Sequence, residues 1–457
     1  MERYESLRKE FPRFFYRSYE VEDLGEELHL VFHFEIEGLS KFAPEWRFPK
    51  KPGIAWENDA LTRRMAFSLG LVELVSYWKI TCSPEVIVEA GSLCEEEIVW
   101  WKQLYFDGLG EFFYVNHIEN VDPETFMHIT SAGEAITGEN LEITGNDGVL
   151  VPIGGGKDSV VTLELLKKAG VPVYGYIINP RGATLHTAEV AGLCGDHLMK
   201  VKRTLDARML ELNRQGYLNG HTPFSALVAF STLLAARLLG LSRIALSNES
   251  SANESTVPGT TVNHQYSKSF QFEKDFHEYS EKYLPQSALY FSLLRPLSEF
   301  QIAKFFARCT AYHNIFRSCN AGSKTDSWCG HCPKCLFVYV ILSPFLEPER
   351  LREIFGADML NDVTMAETLD KLTGILEEKP FECVGSRDEI NTALVLAIKK
   401  FEDEKKELPL LLARYKETDL YGAYRAAGDT FSSYFDEENL VPGELLSLVR
   451  ENCVEDK

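Results

Sequence analysis

Between residues 148 and 170 the chain reads GVLVPIGGGKDSVVTLELLKKAG, and this stretch constrains everything packed around it. Val149, Leu150, Val151 and Ile153 form an almost unbroken apolar run, the pattern of a strand buried on both faces of a parallel sheet. Gly154, Gly155 and Gly156 follow, where the backbone turns sharply and leaves room for something else to approach. Asp158 and Ser159 are good N-cap residues, and Val161, Leu163, Leu165 and Leu166 then carry a helix that Gly170 ends. A glycine loop between a buried strand and a helix N-terminus presents free N–H groups and a positive dipole end, so it suits phosphate. Two familiar phosphate loops are excluded by position. The Walker pattern needs Ser or Thr after its Gly-Lys, where this chain has Asp158, and a glycine where it has Val151. The Rossmann fingerprint needs Gly or Ala where Ser159 stands.

A chain of 457 residues is too long for a single core, and two or three domains are expected. With 45% hydrophobic and 25% charged residues it has an ordinary globular composition. No apolar run is long enough to span a bilayer, and the charged start MERYESLRKEF lacks the pattern of a secretory signal, so a cytoplasmic location and no membrane partner are expected. A formal charge of −21 opposes nonspecific binding to nucleic acid. Ten cysteines in such a chain point to metal or buried thiols rather than disulfides.

Residues 1–145 read as an N-terminal α+β domain. Leu30, Phe32, Phe34 and Ile36 alternate with polar neighbours as a strand, and 61–78 has helical periodicity. The aromatic stretch 99–116 is either a platform for a base or sugar ring or, as aromatics more often are, a core or domain interface. Residues 146–343 read as a doubly wound parallel sheet. Strands are expected at 149–153, 171–179, 197–202, 243–247 and 291–296, alternating with helices at 223–240 and 298–309. Ligands of such sheets sit at the carboxyl ends of the strands, which places Asn179 near a bound base and 247–254 across the cleft from the phosphates. The polar stretch 256–269 carries Asn263, His264, Tyr266 and Lys268 and is either a substrate-binding loop, the favoured reading, or a solvated connector. Residues 344–457 read as helices joined by polar turns, with 381–387 as a loop.

Cys329, Cys332 and Cys335 are separated by two residues each, with Cys319 ten positions upstream. Such separations let thiolates converge on one tetrahedral ion, and Gly330 and Pro333 supply tight turns. Four thiolates make a closed structural zinc site, in which His331 is a possible substitute ligand; the alternative is a reduced cysteine cluster without metal.

The sequence GGGKDS resembles the PP-loop of ATP pyrophosphatases, Ser-Gly-Gly-x-Asp-Ser. Gly155, Gly156, Asp158 and Ser159 match, and Gly154 replaces the usual serine. That resemblance implies cleavage of ATP between the α and β phosphates and adenylation of a substrate oxygen. A PP-loop followed by Cys-Gly-x-Cys-Pro-x-Cys is also similar to 7-cyano-7-deazaguanine synthase over 148–340, which leaves both flanking regions unexplained. The whole chain more closely resembles the ATP-dependent UDP-N-acetylmuramoyl-L-alanyl-L-glutamate epimerases, the MurL type. The carriers are 101–116, 153–163, 247–269, Phe316-Arg-Ser-Cys-Asn320 and Phe381-Glu-Cys-Val-Gly385. This resemblance implies a PP-loop domain, a UDP-muramoyl dipeptide substrate, ATP with magnesium, and structural zinc on Cys319, Cys329, Cys332 and Cys335. It implies ATP contacts at Gly154, Gly155, Gly156, Lys157, Asp158, Ser159 and Asn179, and substrate contacts at Asn248, Glu249, Asn253, Asn263 and Tyr266. Lys157, Asp158, His264 and Lys268 are the catalytic candidates. His264 is first choice as proton carrier because its unperturbed pKa is near neutrality, with Tyr266, Lys268, His221 and Cys383 as alternatives.

Overall fold

The computed structural model describes residues 2–253, 266–319, 321–380, 382 and 384–455. Its strands are β1 (Arg13–Asp23), β2 (Glu27–Ile36), β3 (Ser40–Phe42), β4 (Glu45–Pro49), β5 (Glu85–Val88), β6 (His128–Ser131), β7 (Asn146–Pro152), β8 (Val173–Ile178), β9 (Leu198–Thr204), β10 (Leu241–Leu246) and β11 (Leu289–Ser292). They form one sheet in the order β11-β10-β7-β8-β9-β4-β2-β1-β5-β6, with β3 beside β2. From β11 to β9 every pair is parallel, as the alternation of strands and helices in the sequence implies. The sheet as a whole is mixed. β9 meets β4 antiparallel through Trp46 and Arg203, β4, β2 and β1 are antiparallel, and β1, β5 and β6 are parallel again.

The helices are α1 (Glu2–Glu10), α2 (Ala60–Trp78), α3 (Glu95–Gly108), α4 (Gly110–Val115), α5 (Lys157–Lys168), α6 (Gly182–Val190), α7 (Ala207–Arg214), α8 (Phe224–Leu239), α9 (Phe270–Tyr283), α10 (Glu299–Phe306) and α11 (Pro333–Leu342). Six more make up the helical C-terminal region: α12 (Pro348–Phe355), α13 (Ala366–Thr373), α14 (Arg387–Asp403), α15 (Leu410–Lys416), α16 (Asp419–Ala427) and α17 (Gly443–Cys453). No described helix is long and apolar enough to cross a membrane.

Alternation along β7 and β8 explains the unbroken apolar run. Leu150 and Tyr176 enter one core with α2, α8 and α9, while Val149, Val151 and Ile177 enter another with α5, α10, α11 and the C-terminal helices. The first core also holds the aromatic N-terminal region. Trp101 is fully buried and stacks on Phe230 of α8 at 5.0 Å between ring centroids, so this part of the aromatic stretch is core rather than an open platform. Asp59 fastens the two parts further. It caps α2 by accepting from the Thr62 N–H at 2.9 Å, and it takes two hydrogen bonds from Arg237 of α8, at 2.5 and 2.7 Å. The sheet therefore runs without a break across residue 145, through the β4–β9 pair.

The fifth parallel strand lies earlier than the sequence suggests. It ends at Ser292, and 293–297 turns instead, with the Arg295 N–H on Ser292 O at 3.1 Å and the Leu297 N–H on Leu294 O at 2.9 Å. Pro296 has no N–H for a ladder, and Arg295 is drawn into a buried ion pair. Ser298 caps α10 in a capping box with Gln301, but the helix stops at Phe306.

Candidate active site at the glycine loop

β7 delivers the three glycines to the carboxyl edge of the parallel strands, where α5 begins. Gly155 has φ +81°, and a Cβ on it would lie 3.0 Å from Ala183 of α6, so glycine is required there. A Cβ on Gly156 would stand 3.0 Å from Ser318 Oγ, whereas one on Gly154 would meet nothing within 4 Å. Gly154 is therefore the open face of the loop. The N-cap of α5 is Gly156, two residues earlier than the side chains suggest, and no side chain caps the helix. Ser159 Oγ donates to Gly156 O at 3.0 Å instead of accepting from the backbone. Among the described residues the first-turn amides have no side-chain partner, as an anion site requires.

Two cavities open on this loop, of about 510 Å³ and about 310 Å³. They share Pro152, Gly154, Phe224, Val228 and Arg317. The larger one extends over the ends of β8 and β9, past Asn179, Arg181 and Arg203; the smaller is lined by Asp158, Ser159, Asn248, Glu249, Lys268, Lys334 and Glu382. Both lie outside the carboxyl ends of parallel strands, where open α/β sheets bind ligands. A cavity of about 580 Å³ among the C-terminal helices is larger, but it lies away from the glycine loop.

Several expected site residues do line these cavities: Gly154, Gly156, Asp158, Ser159, Asn179, Asn248, Glu249 and Lys268. Asn179 does so with its amide already engaged. At φ +49° it donates to Arg203 O at 2.9 Å and accepts from the Arg203 N–H at 2.9 Å, locking β8 to β9. Asn248 donates to Ser292 Oγ at 3.2 Å. Lys157 turns away from the cleft. Its side chain is 1% exposed and its ammonium binds the carboxylates of Glu299 and Asp158. A lysine at the first position of α5 is thus buried against carboxylates and lines neither cavity. Tyr266 lies in the short turn Tyr266–Lys268 and packs edge-on against Phe272, outside both cavities. Burial raises its phenol far above the ordinary range, with Asp107 and Asp275 adding to the rise. His221 faces Glu111 at 3.5 Å and lines neither cavity. Asn253 ends the turn Ser250–Asn253. Asn263, His264 and Cys383 lie outside the described residues.

The cleft floor holds charges that the sequence reading did not single out. Glu299, at the start of α10, is 2% exposed, and its backbone N–H donates to Glu389 Oε1 of α14 at 2.6 Å. Burial pushes the Glu299 carboxyl up to about 8; Lys157 opposes that rise, while Asp158 and Glu249 add to it. Glu389, also buried, is raised for the same first reason. Arg295 is fully buried and carries the shoulders of the segment between Asn253 and Tyr266. It donates to Glu249 O and Lys268 O, each at 2.6 Å, and to Glu273 at 3.0 Å. An arginine inside the apolar run LLRPL is a readable signal, since such a charge is buried only when paired.

The four cysteines converge. Sγ of Cys319 and Cys332 lie 3.8 Å apart, Cys329 and Cys335 3.6 Å, Cys332 and Cys335 3.5 Å, and all four within 4.8 Å of one another. Tetrahedral zinc with bonds of about 2.3 Å sets its sulfurs about 3.8 Å apart, so the group fits that ion. Backbone N–H groups of Gly322 and Cys335 point at Cys319 Sγ and Cys332 Sγ, as negatively charged sulfur requires. His331 is exposed with Nδ1 on Cys329 O, outside the group. The loop carrying Cys319 is fastened to the glycine loop, because the Arg317 N–H donates to Gly155 O at 2.7 Å.

Comparison with known proteins agrees with this layout. The model of the MurL N-terminal domain matches residues 5–293, which contain the entire sheet, and that of the MurL C-terminal domain matches 315–421. A protein of Xanthomonas oryzae pv. oryzae named UDP-N-acetyl-alpha-D-muramoyl-L-alanyl-L-glutamate epimerase is 38% identical over 342 residues, 73% of this chain and 74% of that protein. Proteins of the same name from Salinispora tropica and a Micromonospora species are each 34% identical, over 74% of both chains and 76% of both chains respectively. No solved structure matches. The chain belongs to the MurL family of UDP-N-acetyl-alpha-D-muramoyl-L-alanyl-L-glutamate epimerases.

Proposed function

We propose that this chain converts the terminal L-glutamate of UDP-N-acetylmuramoyl-L-alanyl-L-glutamate to D-glutamate, in the synthesis of peptidoglycan precursors, and that ATP activates the α-carboxylate for the inversion. Family membership carries the substrate. The glycine loop supports the nucleotide: an uncapped helix start, a glycine with open space beside it, and two cavities meeting there.

The chemistry needs activation. The α-proton of a peptide-linked glutamate is very weakly acidic beside an ionised carboxylate. In the proposed sequence a carboxylate oxygen bonds to the α-phosphorus, the bond from that phosphorus to the bridging oxygen breaks, and pyrophosphate leaves with the electron pair. The acyl adenylate no longer carries the carboxylate charge, so its carbonyl accepts the electrons of the α-C–H bond when a base takes the proton. Return of a proton to the opposite face inverts the centre, and water then releases AMP. On this reading the larger cavity receives the nucleoside, and the amides of 154–158 with the Ser159 hydroxyl hold phosphate. Asp158 and Glu249 line the smaller cavity and would hold the magnesium that accompanies the nucleotide, an ion that would neutralise phosphate charge. Lys268 stands at the smaller cavity, and His264, which lies outside the described residues, remains the first choice as proton carrier. Zinc on the four cysteines would act structurally, holding the end of the sheet region against α11.

Incubation with ATP, magnesium and the UDP-muramoyl dipeptide, followed by chiral analysis of the glutamate, tests the reading. D-glutamate should appear together with AMP and pyrophosphate. Inversion without nucleotide, or release of ADP and orthophosphate, would overturn it.

A further inference from the structure

The two cavities meet at Gly154, and a single guanidinium stands over both. Arg317 lines each of them. Its main chain is bound to the loop through the 2.7 Å hydrogen bond to Gly155 O, and its neighbour Ser318 packs against Gly156. The side chain is half-buried. Nη1 donates to Phe316 O at 2.7 Å and Nε to Asp326 O at 3.2 Å, which among the described residues leaves most of the five N–H donors unused. Among the described residues no carboxylate forms an ion pair with it. The nearest candidate, Asp326, instead faces His186 at 3.5 Å and crowds Gly182 at the start of α6. Asp326 is near enough to favour the charged guanidinium, yet among the described residues the guanidinium donates hydrogen bonds to carbonyls alone. In a chain of charge −21, where carboxylates are abundant, a half-buried arginine so placed suits an anion from outside. The other arginines nearby differ. Arg203 is closed by Glu73 at 2.6 Å, and Arg181 is exposed on the rim.

We propose that Arg317 clamps the pyrophosphate half of the nucleotide against the glycine loop. The inference rests on the ATP reading above and names a residue that performs it. Planar, bidentate donation suits two phosphate oxygens at once, which a lysine ammonium does not reproduce. It also gives the cysteine loop a second task, since the loop that carries Cys319 sets Arg317 in place.

Calorimetric titration of the full chain with ATP and with AMP, in magnesium, tests this for wild type, Arg317→Ala, Arg317→Gln and Arg317→Lys. Metal content and melting temperature serve as controls on folding. Arg317→Ala and Arg317→Gln should weaken ATP about tenfold or more while AMP binding changes little, and Arg317→Lys should recover only part of the loss. Should one variant fail to fold, the other two decide. ATP affinity within about twofold of wild type in the folded variants, or equal weakening of ATP and AMP, would overturn the clamp alone. Failure of the wild type to bind ATP would remove the nucleotide reading, and the clamp with it.

Discussion

Arg295 and Lys157 are two of the buried cations about the cleft, and they are satisfied in different ways. Arg295 meets one carboxylate and two backbone carbonyls, with the second oxygen of Glu273 taken by the Ser292 N–H at 2.9 Å. Each group there has a fixed partner, and the arrangement holds one geometry. Lys157 faces the carboxylates of Glu299 and Asp158, with Glu389 bonded behind Glu299 and Glu249 close enough to raise its pKa. Lys334 also acts on Glu299, but the four carboxylates Glu299, Asp158, Glu389 and Glu249 still outnumber the two lysines, so the state of this cluster depends on protons and on cations entering from the cleft. Similar residue types make a fastener on one side and a responsive floor on the other.

Arg295→Met should have the largest effect. It leaves Glu273 and two carbonyls buried without donors, a loss of about 3–5 kcal/mol measurable by chemical denaturation. Arg295→Met with Glu273→Leu should recover only part of that loss, because the carbonyls of Glu249 and Lys268 stay unpaired. Full recovery would mean that the shoulders do not depend on this arginine.

Lys157→Met should cost less, about 1–3 kcal/mol near neutral pH, since Glu299 can take up a proton where a carbonyl cannot. Its cost should grow as the pH rises and the carboxyl ionises.

The smallest effect per step is the pH slope itself, at most about 1.4 kcal/mol per pH unit. A carboxyl whose proton is held more tightly in the folded chain contributes stability that is complete below its ordinary value and is lost as pH climbs through the folded one. For Glu299 these limits are 4.5 and about 8. Over that window the melting temperature of the wild type should fall relative to Glu299→Gln, and parallel curves would show that the carboxyl stays ionised throughout.

The sequence reveals what is written in consecutive residues. The strand, three glycines and helix of 148–170, the parallel order of β7 to β11 and the convergence of four cysteines all have local signals: an apolar run, turn residues and a regular spacing. The join of β4 to β9 has none, because it pairs Glu45–Arg47, in a segment that the sequence reading leaves without a strand, with Lys202–Thr204 at the end of a short one. Side-chain direction is equally hidden. Lys157 reads as a phosphate ligand from its place in the loop, yet the first turn of α5 aims it at Glu299, a residue 142 positions away. Asn179 reads as a base contact from its place at a strand end, and its amide is consumed by Arg203. Arg317 stands in the same motif as Cys319, whose spacing drew attention first.

The central claim is that adenylation exists to loosen one proton, and turnover in D₂O tests it most directly. With ATP and magnesium present, the D-glutamate product should carry solvent deuterium at its α-carbon, and without ATP no deuterium should enter. Product inverted in D₂O without deuterium at that carbon, or labelling that proceeds equally well with no nucleotide, would contradict the account.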